Sequence, residues 1–248
     1  MKTGDLVAAI RSEGDRMATA AVAAGADALI PTCPEWCMRD LVRHQGEVHR
    51  WATAIVRDAI PAPGIDSAEV VGPWPSDDDL VPWFLEGCNA LVDVLNTADP
   101  ALECFAFLPA PSPLAFWARR QAHETGVHRV DAQSATGSIT PFAPDIAVDG
   151  IEEMLYGFAS RSRSKLRSDA PRTLALRTSD TDAGWVVHIG ADAVDVTPGE
   201  GSGDCTVLAA ASDVFLVLWN RGSGDGVDVT GDRSVLDLWH ETMQIRWR

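Results

Sequence analysis

FWARRQAHETGVHRVDAQ occupies residues 116–133. Pro109, Pro111 and Pro113 lie in a loop just before it, and a helix is predicted over about 114–132. Within that helix, HETGVH at 123–128 sets Glu124 and His128 four residues apart. They therefore project from one helical face, with Cβ atoms about 5–6 Å apart. A carboxylate and an imidazole in that relation can share one metal ion, and a third ligand must come from another helix.

A predicted helix at 37–59 supplies the candidates. Its apolar residues include Leu41, Val42, Val48, Trp51, Ile55 and Val56. His44 falls on the stripe 41, 44, 48, 51, 55, whereas His49 sits about 100° or more away from it. His44 is thus the better inward-facing candidate. Two His and one Glu suit a divalent metal such as zinc and leave at least one open position, the feature that separates catalytic from structural sites.

Plainer readings stand beside this one. Glu and His four apart are common on helices, and a His on an apolar stripe is more often a hydrogen-bonded core residue. His123 points away from Glu124 and reads as a supporting or surface group. Asp40 and Asp131 are spaced to orient a ligand imidazole, although a solvated carboxylate is the ordinary state. His188 and His240 receive no role.

Outward from these segments, the first two thirds of the chain read as helical. Leu6, Ile10, Met17, Ala21 and Ala24 mark a helix over 4–28 that ends at Gly25. The Pro- and Gly-rich residues 60–75 read as a loop. Ser76 opens another helix to about Thr97, with Asp77, Asp78 and Asp79 in its first turn, where negative charge suits the helix dipole. Asp149 and Glu152 have the form of a capping box for a fifth helix ending near Ser160.

RSRSKLRSDAPR, 161–172, holds five basic residues and reads as a solvated linker in preference to an anion-binding patch. Beyond it the period changes. Strands are predicted at Thr173–Arg177, Trp185–Ile189, Ala193–Val196, Cys205–Leu208 and Val227–Val229. Ser212 is expected to cap a short helix, and 233–245 to form the last. The glycines of GEGSGDC at 199–205 and GSGDG at 222–226 read as turns. Two domains follow, 1–165 helical and 173–248 mixed α/β.

The chain has 248 residues, 46% apolar and 23% charged, enough to build a core. Twenty Lys and Arg face 36 Asp and Glu, a net charge of -16. That balance disfavours nucleic acid and anionic membranes. No apolar run reaches the ~18 residues of a membrane span, and MKTGDLVAAIRSEG lacks a signal pattern. A cytoplasmic protein is expected. Five cysteines, an odd number, read as reduced structural thiols, and Cys33 and Cys37 lack the CxxC spacing. Dinucleotide, P-loop and GxSxG motifs are absent from the sequence.

PTCPEWCMRDLVRHQGEVHRWA at 31–52 and FWARRQAHETGVHRVDAQ at 116–133 resemble the two signatures of the mycothiol-dependent maleylpyruvate isomerase family. FLVLWNRG at 215–222 resembles a weaker third pattern, so the resemblance spans nearly the whole chain. It implies a DinB-like four-helix bundle followed by a small sterol-carrier-like α/β domain. It implies a divalent metal, usually zinc, held at positions matching His44, Glu124 and His128, the three that spacing selects. It also implies mycothiol, the low-molecular-weight thiol of actinobacteria, as cofactor, and a substrate-facing arginine, for which Arg221 is the best match. Glu35 and Cys37 depart from the Gly and Thr/Ser that family members often carry around the Trp, and Cys is the poorer helix cap.

The expected function is therefore thiol-mediated isomerisation or S-transfer on a small electrophilic substrate. The alternatives are a metal-containing binding or regulatory module without catalysis, or a metal-free interaction module. A homodimer is left open.

Overall fold

The computed structural model describes residues 1–64, 66–222 and 226–245. Two compact units divide it, Met1–Thr140 and Pro141–Arg248.

The first unit is a helical bundle of α1 (Thr3–Ala24), α2 (Met38–Arg57), a short α3 (Ser67–Val71), α4 (Asp77–Thr97) and α5 (Pro113–Ser134). The four long helices are those read from the sequence, and α3 lies in what reads there as plain loop. α1 packs along α5 and α4, and α2 packs chiefly along α4. Ile10, Met17, Leu41, Phe84, Leu91 and Trp117 are fully buried between them. Each such side chain contributes about 1.5–3 kcal/mol by leaving water. α2 and α4 approach closely at Gly46, where a Cβ would stand 2.1 Å from the Trp83 ring.

The turn between α1 and α2 is pinned at both ends. Leu29 bridges to Cys37, and the Met38 N–H donates to the Ala28 carbonyl at 2.8 Å. Cys37 does stand at the N-cap of α2, and Asp40 compensates for the weak cap. Its Oδ2 accepts from both the Cys37 N–H and S–H at 3.0 Å. Asp40 therefore serves the helix start and not a histidine.

α5 begins with Pro113 in its first turn, and the Ser112 hydroxyl accepts from the Ala115 N–H at 3.1 Å. Its buried residues run from Leu114 to Ala132 and include Arg120, Gln121, His123, Glu124, Thr125, His128, Arg129 and Asp131. Buried polar groups are costly unless they find partners. Arg129 finds one across the bundle, donating to Glu13 of α1, and another within α5, donating to Gln133 at 3.0 Å.

The second unit opens with α6 (Pro144–Glu152), continued by a π-helix (Glu153–Ala159). Asp149 lies inside α6 and does not open a helix with Glu152. Pro144 sets the first turn, one and a half turns earlier, with Ala143 at the N-cap. Phe142 meets Phe215 at 5.1 Å between ring centroids, and a Cβ on Gly150 would stand 2.5 Å from the Phe215 ring. These contacts join residues 141–160 to the second unit, so the division follows Thr140 instead of lying at 165–173. Ser212 is not a cap either: its Oγ accepts from the Phe142 N–H at 3.0 Å. The basic segment 161–172 carries no regular element up to Arg172, but Leu166 within it is buried.

Five strands follow: β1 (Arg172–Thr178), β2 (Gly184–Ile189), β3 (Val194–Pro198), β4 (Cys205–Ala209) and β5 (Asp228–Gly231). Their order is β3-β2-β1-β4-β5, with β1 and β4 parallel and the other pairs antiparallel. Leu176 is central, opposite Trp185 of β2 and Val207 of β4. α7 (Ala211–Leu218) and α8 (Ser234–Thr242) pack on the two central strands. The Trp239 indole ties the helices together by donating to the Leu218 carbonyl at 3.1 Å. At Gly231 the backbone has φ 86°, and a Cβ would meet the Asp204 carbonyl oxygen. Of the turn read at 222–226, residues 223–225 lie outside the described residues. The five cysteines are free thiols, and no described helix is long and apolar enough to cross a membrane. A helical bundle followed by a small mixed sheet is thus the architecture that the sequence implies.

Candidate metal centre

His44 projects from α2, and Glu124 and His128 project from α5 one turn apart. Each offers one ligand atom, and the three atoms lie within 4.8 Å of one another. His128 Nε2 is 3.2 Å from Glu124 Oε1, and His44 Nε2 is 3.7 Å from the same oxygen. Tetrahedral zinc with bonds of about 2.0–2.1 Å needs ligand atoms about 3.3–3.5 Å apart. The two measured separations bracket that value. Glu124 Oε1 is buried yet receives no well-directed hydrogen bond, and its carboxylate is turned toward two imidazole nitrogens. The donor set, the spacing and the convergence on one buried carboxylate oxygen fit a divalent ion.

Around the three, further side chains fix their positions. The second Glu124 oxygen accepts from Arg120 Nη2 at 3.2 Å. His128 Nδ1 is 2.9 Å from Asp131 Oδ2, which leaves Nε2 facing the centre. Asp131 is itself held by Thr32, whose hydroxyl donates to Oδ1 at 2.6 Å. The Cys33 thiol donates to the Oδ2 side at 3.7 Å. Trp36 lies over the histidines, its ring 4.9 Å from that of His44 and 6.1 Å from that of His128. The α1–α2 turn thus supplies three residues to one end of the centre.

Charge follows the same pattern. Burial alone would raise the Glu124 pKa, but His128, His44 and the Arg120 guanidinium hold it well below the usual carboxylate range. Burial alone would lower the His128 pKa, but Asp131 and Glu124 outweigh it and push it up to about 9. Without metal, a protonated His128 imidazole between Glu124 and Asp131 therefore supplies the positive charge of the site. Glu124 and His128 are buried, while the His44 side chain keeps 19% of its exposure and leaves a route from solvent.

Residues 7–133 match the profile of the mycothiol maleylpyruvate isomerase N-terminal domain, and residues 145–238 match that of its C-terminal domain. The chain belongs to the mycothiol maleylpyruvate isomerase family. A solved structure of the mycothiol-dependent maleylpyruvate isomerase superposes on this family member with a TM-score of 0.62 at 15% identity, covering 93% of both chains. A histidine-to-alanine mutant of that enzyme gives the same TM-score at 14% identity, again over 93% of each chain. At these identities the likeness is one of fold. No curated protein matches in sequence.

In this family member the bundle brings His44, Glu124 and His128 together. Arg221 follows α7 in the other unit, where its guanidinium donates to the Trp219 carbonyl at 2.9 Å. His49 departs from the sequence reading, because it is buried as completely as any core residue. Its Nε2 lies 2.8 Å from Gln45 Nε2 and 2.9 Å from Thr125 Oγ1, and its ring stacks on Phe84 at 5.5 Å. Burial pushes its pKa down to about 3, so the ring is neutral. His123 is buried too. Arg120, Thr32 and Trp36 are supporting residues that spacing alone does not single out; the i,i+4 relation of Arg120 to Glu124 was the one available signal.

Proposed function

We propose that this protein is a metal- and mycothiol-dependent enzyme acting on a small electrophilic substrate, by isomerisation or by S-transfer. The observation that carries the proposal is the convergence of His44 and His128 on one buried Glu124 carboxylate oxygen, with His44 partly open to solvent. Zinc is the ion that this donor set suits best. When bound, ion and thiol together supply a nucleophilic sulfur at neutral pH.

The chain's own residues set the conditions for that chemistry. Three protein ligands leave a coordination position for a cofactor atom. Asp131 keeps the His128 Nε2 lone pair directed at the centre and balances charge there. Arg120 fixes the Glu124 carboxylate so that one oxygen remains available. Trp36 shields the two imidazoles from bulk water on one side. Arg221 is assigned to pairing with a substrate carboxylate, a bidentate role that guanidinium suits.

The test is an assay of purified protein with zinc, mycothiol and a panel of cis-unsaturated keto acids and alkylating electrophiles. Turnover that needs both thiol and metal, and that His44→Ala abolishes, is expected. A protein that retains its metal with all four positions filled by protein, and that turns over none of the panel, would instead be a binding or regulatory module.

A further inference from the structure

The two helices that carry the three ligands touch sparingly. α5 packs mainly on α1, and α2 packs mainly on α4. Apolar packing alone therefore leaves the His44–Glu124 separation weakly determined. A buried polar cluster spans that gap. Gln45 and His49 come from α2 and Thr125 from α5, and all three are fully buried. Gln45 Nε2 donates to Thr125 Oγ1 at 3.3 Å, and His49 Nε2 lies within 2.8–2.9 Å of both. Gln45 directly follows His44, and Thr125 directly follows Glu124.

We infer that the Gln45–His49–Thr125 cluster is a positioning device for the metal centre, setting the spacing between His44 on α2 and Glu124 on α5. The inference rests on the proposed metal site. Its physical basis is directional. Hydrogen bonds fix distance and rotation between helices to a few tenths of an ångström, whereas apolar contacts tolerate sliding. A ligand set must hold close to its productive geometry to retain affinity. His49 also stacks on Phe84, which ties the same cluster to α4. The cluster thus fixes α2 against α4 and α5, and Gln45 and Thr125 each stand one residue from a ligand.

Thr125→Val removes the hydroxyl at nearly constant volume, and Thr125→Ser restores it. Zinc affinity would be measured by competition with a chromophoric chelator, on wild type, both variants and His44→Ala. The visible absorption of the cobalt-substituted proteins would report ligand geometry. Wild type and Thr125→Ser are expected to bind alike, and Thr125→Val to bind about 10- to 100-fold more weakly with an altered cobalt band. Where Thr125→Val does not fold, Gln45→Met serves, with the same direction of change. Unchanged affinity and an unchanged cobalt band in a folded variant, with His44→Ala losing metal, would overturn the positioning role alone. Wild type that binds no zinc, or His44→Ala that binds as wild type does, would overturn the metal site and this inference with it.

Discussion

His128 Nδ1 lies 2.9 Å from Oδ2 of Asp131, three residues on in α5. Because Asp131 is fully buried and braced by Thr32, the imidazole can turn only one nitrogen toward Glu124 and His44. Asp131→Asn keeps the shape and removes the charge. It is expected to weaken zinc binding about 10- to 100-fold while leaving the circular dichroism spectrum unchanged. An affinity equal to wild type, by chelator competition, would remove Asp131 from the account.

Stability should depend on pH through His49. Burial lowers its folded pKa to about 3, with Glu124 opposing that shift and Arg50, His128 and His44 adding to it. The unfolded chain, near 6.5, then binds the extra proton. Stability is fully present above about pH 6.5 and is lost as pH falls toward 3. Between pH 7 and pH 5 this group alone should cost about 2 kcal/mol. In urea titrations at both pH values, His49→Gln should lose about that much less than wild type. An equal loss in both proteins would show that His49 does not carry the effect.

Gly46 fixes how closely α2 meets α4. A methyl group there would overlap the Trp83 ring, which Arg50 covers at 4.0 Å on its face. Gly46→Ala is expected to destabilise by about 1–3 kcal/mol in chemical denaturation, despite the better helix propensity of Ala. A more stable variant would mean that Trp83 has room to move.

The candidate centre is legible in the sequence because its key pair is local. Glu124 and His128 sit four residues apart on an uninterrupted helix, and that spacing alone places them on one face. His44 lies on an apolar stripe that the structure shows to be rotated from the buried face. The buried face of α2 runs through Met38, Leu41, Gln45, His49, Ala52 and Val56, with His44 at its margin. Two of those core positions are polar, so apolar periodicity pointed past them and left His49 outside. α5 is the extreme case. Its buried residues lie on all sides and half are polar, so its amphipathic pattern vanishes although the helix is central. Asp149 and Ser212 depart from their sequence reading for another reason. Each is a residue type that caps helices, but Pro144 had already started α6, and Ser212 is engaged by the Phe142 backbone. The π-helix after Glu152 carries no sequence signature at all.

The proposed role of Arg221 is to pair with a substrate carboxylate, not to bind metal. Arg221→Ala is expected to retain full zinc content and to lower kcat/KM for a carboxylate-bearing substrate roughly 10- to 100-fold, the worth of a charged hydrogen bond. A carboxamide or ester analogue should be much less affected. Loss of zinc from this variant, or equal loss of activity on charged and neutral analogues, would contradict the assignment.

The most direct measurement is the metal content of protein purified without a His-tag or added metal, determined by elemental analysis on wild type and on folded His44→Ala. About one divalent ion per chain in wild type, retained through dialysis and lost from the variant, is expected for a three-ligand site. Metal-free wild type that stays empty after reconstitution with zinc, or equal metal in both proteins, would contradict a centre built on His44, Glu124 and His128.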